Sequence, residues 1–145
     1  MKTNLNQFQL FNGLSNDELI IIANYMDYSE YEAGDVVFHQ GDVCNDIYLI
    51  QSGKIEIQLE ENKKKIPLAQ LETPEYFGEL AFIEGKKRSA TAFCLEKCRV
   101  YRLKPKVLLE LKKKKIEIYT VLLENLLKYI SQKIHDTDKK LLNLA

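Results

Sequence analysis

From Lys54 to Glu60 the chain alternates, with Ile55, Ile57 and Leu59 on one face and Lys54, Glu56, Gln58 and Glu60 on the other, the pattern of a half-buried strand. Period-two character extends over about residues 28–103, and turn residues recur every few positions. Tyr31-Glu32-Ala33-Gly34-Asp35 reads as a turn, and Val36, Val37 and Phe38 as the strand after it. Gln40-Gly41-Asp42 turns again, DIYLIQ over 46–51 forms the next strand, and Ser52-Gly53-Lys54 turns tightly into KIEIQLE. Glu61-Asn62-Lys63-Lys64 makes a solvated hairpin tip, and IPLAQL, SATAFCL and CRVYRL complete the strands. Short strands at such regular spacing predict a small antiparallel barrel or jelly roll.

Helical signals flank this region. In LFNGLSNDELIIIANY, Ser15 stands before Asn16-Asp17-Glu18, so Ser15 serves as a cap, Glu18 occupies the capping-box position, and Leu14 and Leu19 form the staple. A helix over about 15–26 is expected. After Leu103 the chain has no glycine, and Pro105 fits the first turn of a short helix in LKPKVLLELKKKK. A longer helix follows. Positions 116, 120, 123, 127, 130, 134, 137, 141 and 144 read Ile, Thr, Leu, Leu, Ile, Ile, Thr, Leu, Leu, a coiled-coil-like seam. Either this seam packs on the chain's own barrel or it joins a second copy, leaving the stripe Ile118, Leu122, Leu126 and Tyr129 to make the internal contact. The fold class is therefore α+β, mainly β: a β-roll over about 28–103, one helix before it and two after it over about 105–144, in a single domain spanning 1–145.

Composition narrows the function. The 145 residues carry 21 basic and 21 acidic side chains, so any anion site is local rather than a property of the whole surface. Apolar runs such as ELIIIA fall far short of a bilayer span, and MKTNLNQFQL has no signal-peptide core; a cytoplasmic protein with no membrane role is expected. Cys44, Cys94 and Cys98 are odd in number and lack zinc or thioredoxin spacing, which favours buried reduced thiols. With His39 and His135 as the two histidines, no metal site is expected. The Lys112 to Lys115 run reads as a solvated helix end.

The stretch YFGELAFIEGKKRSATAF, from Tyr76 to Phe93, carries the chemistry. Between two strands, where a hairpin would serve, ELAFIE has helical character. Gly78 permits close backbone approach at its start, and the first-turn amides of Glu79, Leu80 and Ala81 become donors for an anion. Arg88 adds a planar cation suited to a bidentate grip on phosphate. An arginine facing a helix N-terminus sets two positive ends together, an arrangement expected to be repulsive until an anion arrives. Glu79 would repel a phosphate that it faced, so it is expected to point sideways and accept from a neutral hydroxyl such as a ribose 2′-OH. Phosphate and ribose together indicate a nucleotide.

FGELAFIEGKKRSATA resembles the phosphate-binding cassette of the cyclic nucleotide-binding domain family, whose pattern is F-G-E-L-A, a short spacer and R-[AST]-A. LFNGLSNDEL is similar to the family's N-terminal helix, and YEAGDVVFHQGDVCNDIYLIQSGKIEI to its first strands with turn glycines Gly34, Gly41 and Gly53. The resemblance implies that Glu79 binds the ribose 2′-hydroxyl and Arg88 the exocyclic phosphate oxygens. Backbone amides near Gly78, Leu80, Ala81 and Ala90 would complete the phosphate shell, with Ser89 reaching the phosphate or the base. Lys87 departs from the proline that many members place before the arginine. Ser89 looks like the bacterial catabolite activators, which take cyclic AMP, whereas cyclic-GMP-selective members often carry threonine. TDKKLLNLA over 137–145 resembles the end of their dimerisation helix, where a seam threonine contacts adenine. Thr137 either takes that role or fixes register.

Family transcription factors continue into a helix-turn-helix domain, whereas this chain stops at Ala145, so DNA binding is not expected. Three readings follow: a non-catalytic cyclic nucleotide sensor that signals to an effector protein or a second copy through its C-terminal helices; a ligand-free β-roll scaffold for protein interaction; and a cupin-like metalloenzyme. The last is disfavoured because no histidine cluster, paired acids or nucleophile with its base stands in the pocket.

Overall fold

A computed structural model describes residues 4–144 and the side chains of residues 4–139. Eight strands form two four-stranded antiparallel sheets that face each other. The first sheet has the order β1-β8-β3-β6, from β1 (Asp27–Tyr31), β8 (Cys98–Leu103), β3 (Ile47–Ser52) and β6 (Tyr76–Phe77). The second has the order β2-β7-β4-β5, from β2 (Val36–Phe38), β7 (Thr91–Cys94), β4 (Lys54–Glu61) and β5 (Lys64–Glu72). Helix α1 (Asn16–Ala23) precedes the roll, α2 (Glu79–Glu84) interrupts it, and α3 (Pro105–Lys114) and α4 (Ile116–Leu144) follow. The α+β, mainly β architecture expected from the pattern is the one observed.

DIYLIQ is apolar at consecutive positions because both faces of β3 are covered. Ile47 and Leu49 join the helical layer with Phe8, Phe11, Ile22, Leu103 and Leu122, while Tyr48 and Ile50 fill the space between the sheets with Phe38, Ile55, Phe77 and Val100. A strand buried on two faces loses the alternation that marks a surface strand.

Several local expectations change on inspection. Ser15 caps α1 as read: its Oγ accepts from Glu18 N–H at 3.2 Å, and Glu18 Oε1 accepts from Ser15 N–H at 2.9 Å. The helix nevertheless stops at Ala23, three residues before Met26, because Tyr25 and Met26 bond to the carbonyls of Ile22 and Ala23, three residues back. The turns Leu5–Gln7 and Gln9–Phe11 are short 3-10 helices that no capping signal announced. Strand β1 also lacked a signal, since Asp27-Tyr28-Ser29-Glu30-Tyr31 holds no aliphatic residue; pairing along the edge of β8 creates it.

The two faces expected of β4 hold, with Ile55 and Ile57 on the inter-sheet core and Glu56 and Gln58 on the other side, and the irregularity falls in its neighbour β5. The register of β4 with β5 shifts between Ile57 and Gln58, where Ile57 pairs with Ala69 and Gln58 with Pro67. Leu68 is therefore the extra residue of β5, whereas β4 pairs with β7 without a shift from Ile55 to Gln58; Gln58 stays on the Glu56 face, where it is buried and donates to Glu56 Oε1 at 2.8 Å. Pro67 lacks a donor and Lys64 and Lys65 are charged, features that keep the β5 edge from templating another strand.

The two stripes on the last helix separate. Ile118, Leu122 and Leu126 are buried against the roll with Tyr129 beside them, whereas Ile116, Leu127 and Ile134 of the seam are exposed, Leu127 at 69%. The internal contact therefore uses the second stripe, and the seam is left free; Leu141 and Leu144 lie outside the described side chains. In denaturant titrations at low protein concentration, Leu122→Ala is expected to cost ~2–5 kcal/mol. Leu127→Ala should stay within ~0.5 kcal/mol of the parent.

Candidate functional site

Gly78, Glu79, Leu80, Ala81, Arg88, Ser89, Ala90 and Thr137, the eight residues singled out from the sequence, all line one cleft of about 390 Å³. Its walls are α2, the segment running from Arg88 into β7, the exposed side of β5 and the underside of α4. Strand β7 begins at Thr91 rather than at Ser89. Arg88 is fixed before it by two backbone bonds, its N–H to Asp42 O at 2.9 Å and its carbonyl from Gly41 N–H at 2.8 Å. The Gln40-Gly41-Asp42 turn thereby holds the arginine in register with the cleft.

Arg88 is 4% exposed. Nη1 donates to Gly78 O at 3.1 Å and Nη2 to Asp46 O at 2.6 Å, with a longer contact from Nη2 to Cys44 Sγ at 3.4 Å. The guanidinium lies 4.0 Å from the Phe38 ring centre. Two carbonyls and an aromatic face thus absorb the repulsion expected between the arginine and the α2 terminus. None of these groups carries a full negative charge. The Asp46 carboxylate instead faces Arg102 at 3.7 Å, and among the described residues Arg88 forms no ion pair and its buried Nε finds no partner.

Close approach explains Gly78. With φ of 90° the residue is left-handed, and a Cβ added there would stand 2.6 Å from Arg88 Nη1 and 2.8 Å from Asp46 O. Any side chain would evict the guanidinium from its carbonyls. The first-turn amides of α2 have no intrahelical partners, and Phe82 N–H is the first to bond back, to Gly78 O at 3.2 Å.

Glu79 is 6% exposed. Its Oε1 accepts from Lys133 Nζ of α4 at 2.9 Å, while its buried Oε2 has no partner. Sequence reading missed Lys133. The available signal was spacing: Asn125, Tyr129, Lys133 and Thr137 repeat every four residues along one side of α4. A buried carboxylate needs a countercharge, and Lys133 supplies one while resting 4.7 Å from the Tyr129 ring centre. Thr137 is exposed, its hydroxyl donating to Lys133 O at 3.0 Å. Asp136 also lines the cleft and accepts from Gln132 Nε2 at 3.0 Å.

The thiols correct the expectation that all three are buried. Cys94 and Cys98 are, but Cys44 is half-exposed, and all three are free. Burial pushes Cys94 up to about 12 and raises Cys98. Burial also raises Cys44, but hydrogen bonds with Tyr48, Arg88 and the Asp46 backbone outweigh it, so its thiol titrates below the ordinary range.

Among the described residues no group of three or more His, Cys, Asp or Glu is arranged to hold a metal, and no helix is long and apolar enough to cross a membrane. The family model for the cyclic nucleotide-binding domain matches residues 28–115, more than half of the chain, and the chain belongs to that family. The match ends before α4 and so before Lys133 and Thr137. A cAMP-dependent protein kinase regulatory subunit of Blastocladiella emersonii is 38% identical over 60% of this chain and 22% of its own length. The Cyclic AMP receptor protein of Thermus thermophilus is 33% identical over 60% of this chain and 41% of its own. The crystal structure of the Thermus thermophilus Catabolite Activator Protein superposes with a TM-score of 0.81 at 27% identity, covering 94% of this chain and 62% of that one. The chain thus spans less than half the length of both sequence relatives.

With a thiol-alkylating reagent at mildly alkaline pH, Cys44 is expected to react in the folded protein, and Cys94 and Cys98 only after denaturation. Peptide mass mapping of the alkylated sites gives the order.

Proposed function

We propose that the chain binds a cyclic nucleotide, cyclic AMP in preference to cyclic GMP, as a non-catalytic sensor in the cytoplasm. The whole of 1–145 acts as one domain, and occupancy is passed on through α3 and α4. The observation that carries the reading is a pair of under-satisfied buried groups in one cleft: among the described residues Arg88 has no countercharge and a free Nε, and Glu79, paired to Lys133 through Oε1, presents a free Oε2. A buried cation without a counterion is costly, and a ligand that brings one negative charge together with a hydroxyl donor relieves both groups. A cyclic phosphate fused to a ribose has that chemistry. Arg88 and the amides of Gly78, Leu80, Ala81 and Ala90 take the phosphate, Glu79 the 2′-hydroxyl, Ser89 the phosphate or the base, and Thr137 the adenine. The printed names of the relatives, a cyclic AMP receptor and cAMP-dependent kinase regulatory subunits, favour the same ligand.

The exposed Ile116, Leu127 and Ile134 give α4 a surface suited to a second copy of the chain or to an effector protein. Neither DNA nor a membrane is part of this reading. The retained alternative is a ligand-free scaffold that uses the roll for protein interaction.

A cyclic nucleotide of about 22 heavy atoms, at roughly −0.3 to −0.4 kcal/mol per atom, binds with about −7 to −9 kcal/mol, a dissociation constant of micromolar order. Calorimetry with cyclic AMP is expected to give that affinity, weakened at least ~10-fold by Arg88→Ala, a loss consistent with a charge-assisted pair. Absence of heat with both cyclic AMP and cyclic GMP would favour the scaffold. In sedimentation runs, Leu127→Glu is expected to leave a monomer at concentrations where the parent associates, without altering the isolated fold.

A further inference from the structure

Helix α4 touches the cassette at two places of different character. One is the Lys133–Glu79 ion pair, which involves a group assigned above to the ligand. The other lies one turn earlier and touches none of the groups assigned to the ligand. The Tyr129 hydroxyl donates to Tyr76 O at 2.6 Å and accepts from Tyr76 N–H at 3.2 Å, while the two rings stack at 3.8 Å between centres and 18° between planes.

Strand geometry explains why a hydroxyl sits there. Ile50 N–H donates to Glu75 O at 3.0 Å, and Tyr48 pairs with Phe77. In an antiparallel ladder the residue between two bonded positions turns its amide and carbonyl away from the partner strand. Tyr76 is that residue, on the last strand of its sheet, and it is fully buried. Its outward N–H and C=O therefore need a partner that no further strand supplies. One hydroxyl, acting as donor and acceptor together, replaces the missing strand. Burial holds the Tyr129 phenol well above its ordinary titration range, so it keeps the proton it donates.

The clip is itself anchored. The Tyr76 hydroxyl donates to Gln9 Oε1 at 2.7 Å, Gln9 Nε2 donates to Asn125 O at 2.9 Å, and Asn125 Nδ2 donates to Leu10 O at 2.8 Å and Asn12 O at 2.9 Å. Strand β6, α4 and the N-terminal turns thus share one polar network.

We propose that Tyr129 is a positioning residue: by closing the edge of β6 two residues before Gly78, its hydroxyl makes the cassette and α4 move as one body when nucleotide fills the cleft. The proposal rests on the ligand reading above for its trigger. A ribose hydroxyl on the free Oε2 shares the Glu79 carboxylate with Lys133 and weakens that partly exposed pair, whereas the Tyr129 clip is left intact and carries the displacement into the helix.

Tyr129→Phe keeps the stacked ring and removes only the hydroxyl; Tyr76→Phe removes the bond to Gln9 and leaves the clip. Hydrogen exchange on the full chain, with and without saturating cyclic AMP, reads the result. In the parent and in Tyr76→Phe, cyclic AMP is expected to change exchange both over the cassette, residues 76–91, and over residues 116–139. In Tyr129→Phe the cassette should still respond while the change over 116–139 falls at least ~5-fold, the lower end of ordinary coupling between sites. A full helix response in Tyr129→Phe overturns the proposal, as does equal loss in both variants, which would mark general weakening.

The parent alone supplies a check that needs no variant: the Tyr76 amide must exchange as slowly with nucleotide as without it, and faster exchange on binding means that the clip opens and the proposal fails. If calorimetry shows that the parent binds neither nucleotide, the ligand reading falls separately. Positioning is then read without ligand: faster exchange over residues 76–84 in Tyr129→Phe but not in Tyr76→Phe supports it, and no difference overturns it.

Discussion

The site depends on a guanidinium placed where water cannot neutralise it. Arg88 is held by the carbonyls of Gly78 and Asp46 and by the face of Phe38, groups that orient a cation but leave its charge uncancelled. Much of the surrounding structure serves that placement. Gly78 is left-handed and without a side chain so that its carbonyl can reach the guanidinium, and the Gly41–Asp42 turn fixes the arginine backbone. Asp46 is drawn toward Arg102, so its carboxylate does not quench the site.

Glu79 is the complementary half. Fully paired, it would be a closed ion pair; unpaired, a buried charge of high cost. Lys133 occupies one oxygen and leaves the other free, so the side chain retains capacity to accept. The cleft therefore holds a cation lacking an anion and a carboxylate with one oxygen lacking a donor. On the proposed reading, a phosphodiester with a neighbouring hydroxyl would satisfy both through one rigid scaffold, at a smaller entropic cost than two separate molecules.

How much of this was legible in the sequence depended on whether the determinants were local. The Ser15 capping box and Pro105 at the start of α3 are short-range signals that the structure places as read, and Gly78, Glu79 and Arg88 come to one cleft, although Arg88 precedes β7 rather than starting it. Strand β1 was silent because its residues are polar and its existence comes from β8. The alternation of β4 was legible, but the extra residue Leu68 in β5 was not, because that bulge depends on how β5 meets β4. The two stripes of α4 were both visible, yet which one faced the roll was a question of packing. Lys133 and Asn125 passed unremarked, and Tyr129 was read only as part of the apolar stripe, because a lysine, tyrosine or asparagine on a long helix is ordinary; their partners lie roughly 50 to 115 residues away in the chain.

The four-residue ladder on α4 has a mechanical corollary. At ~100° per residue, each step of four advances ~40° around the axis, so Asn125, Tyr129, Lys133 and Thr137 precess by ~120° from the first rung to the last. A straight rod thereby meets the N-terminal turns, the strand edge, the acidic side chain and the open cleft in succession. The first two rungs are pinned by bonds to the backbone of other elements and the last is not, so Tyr129 is the outermost rung at which the helix is tied to a main chain. Eight residues beyond it, at ~1.5 Å each, give a lever of ~12 Å, so a ~10° rotation passed on at Tyr129 would carry Thr137 by ~2 Å.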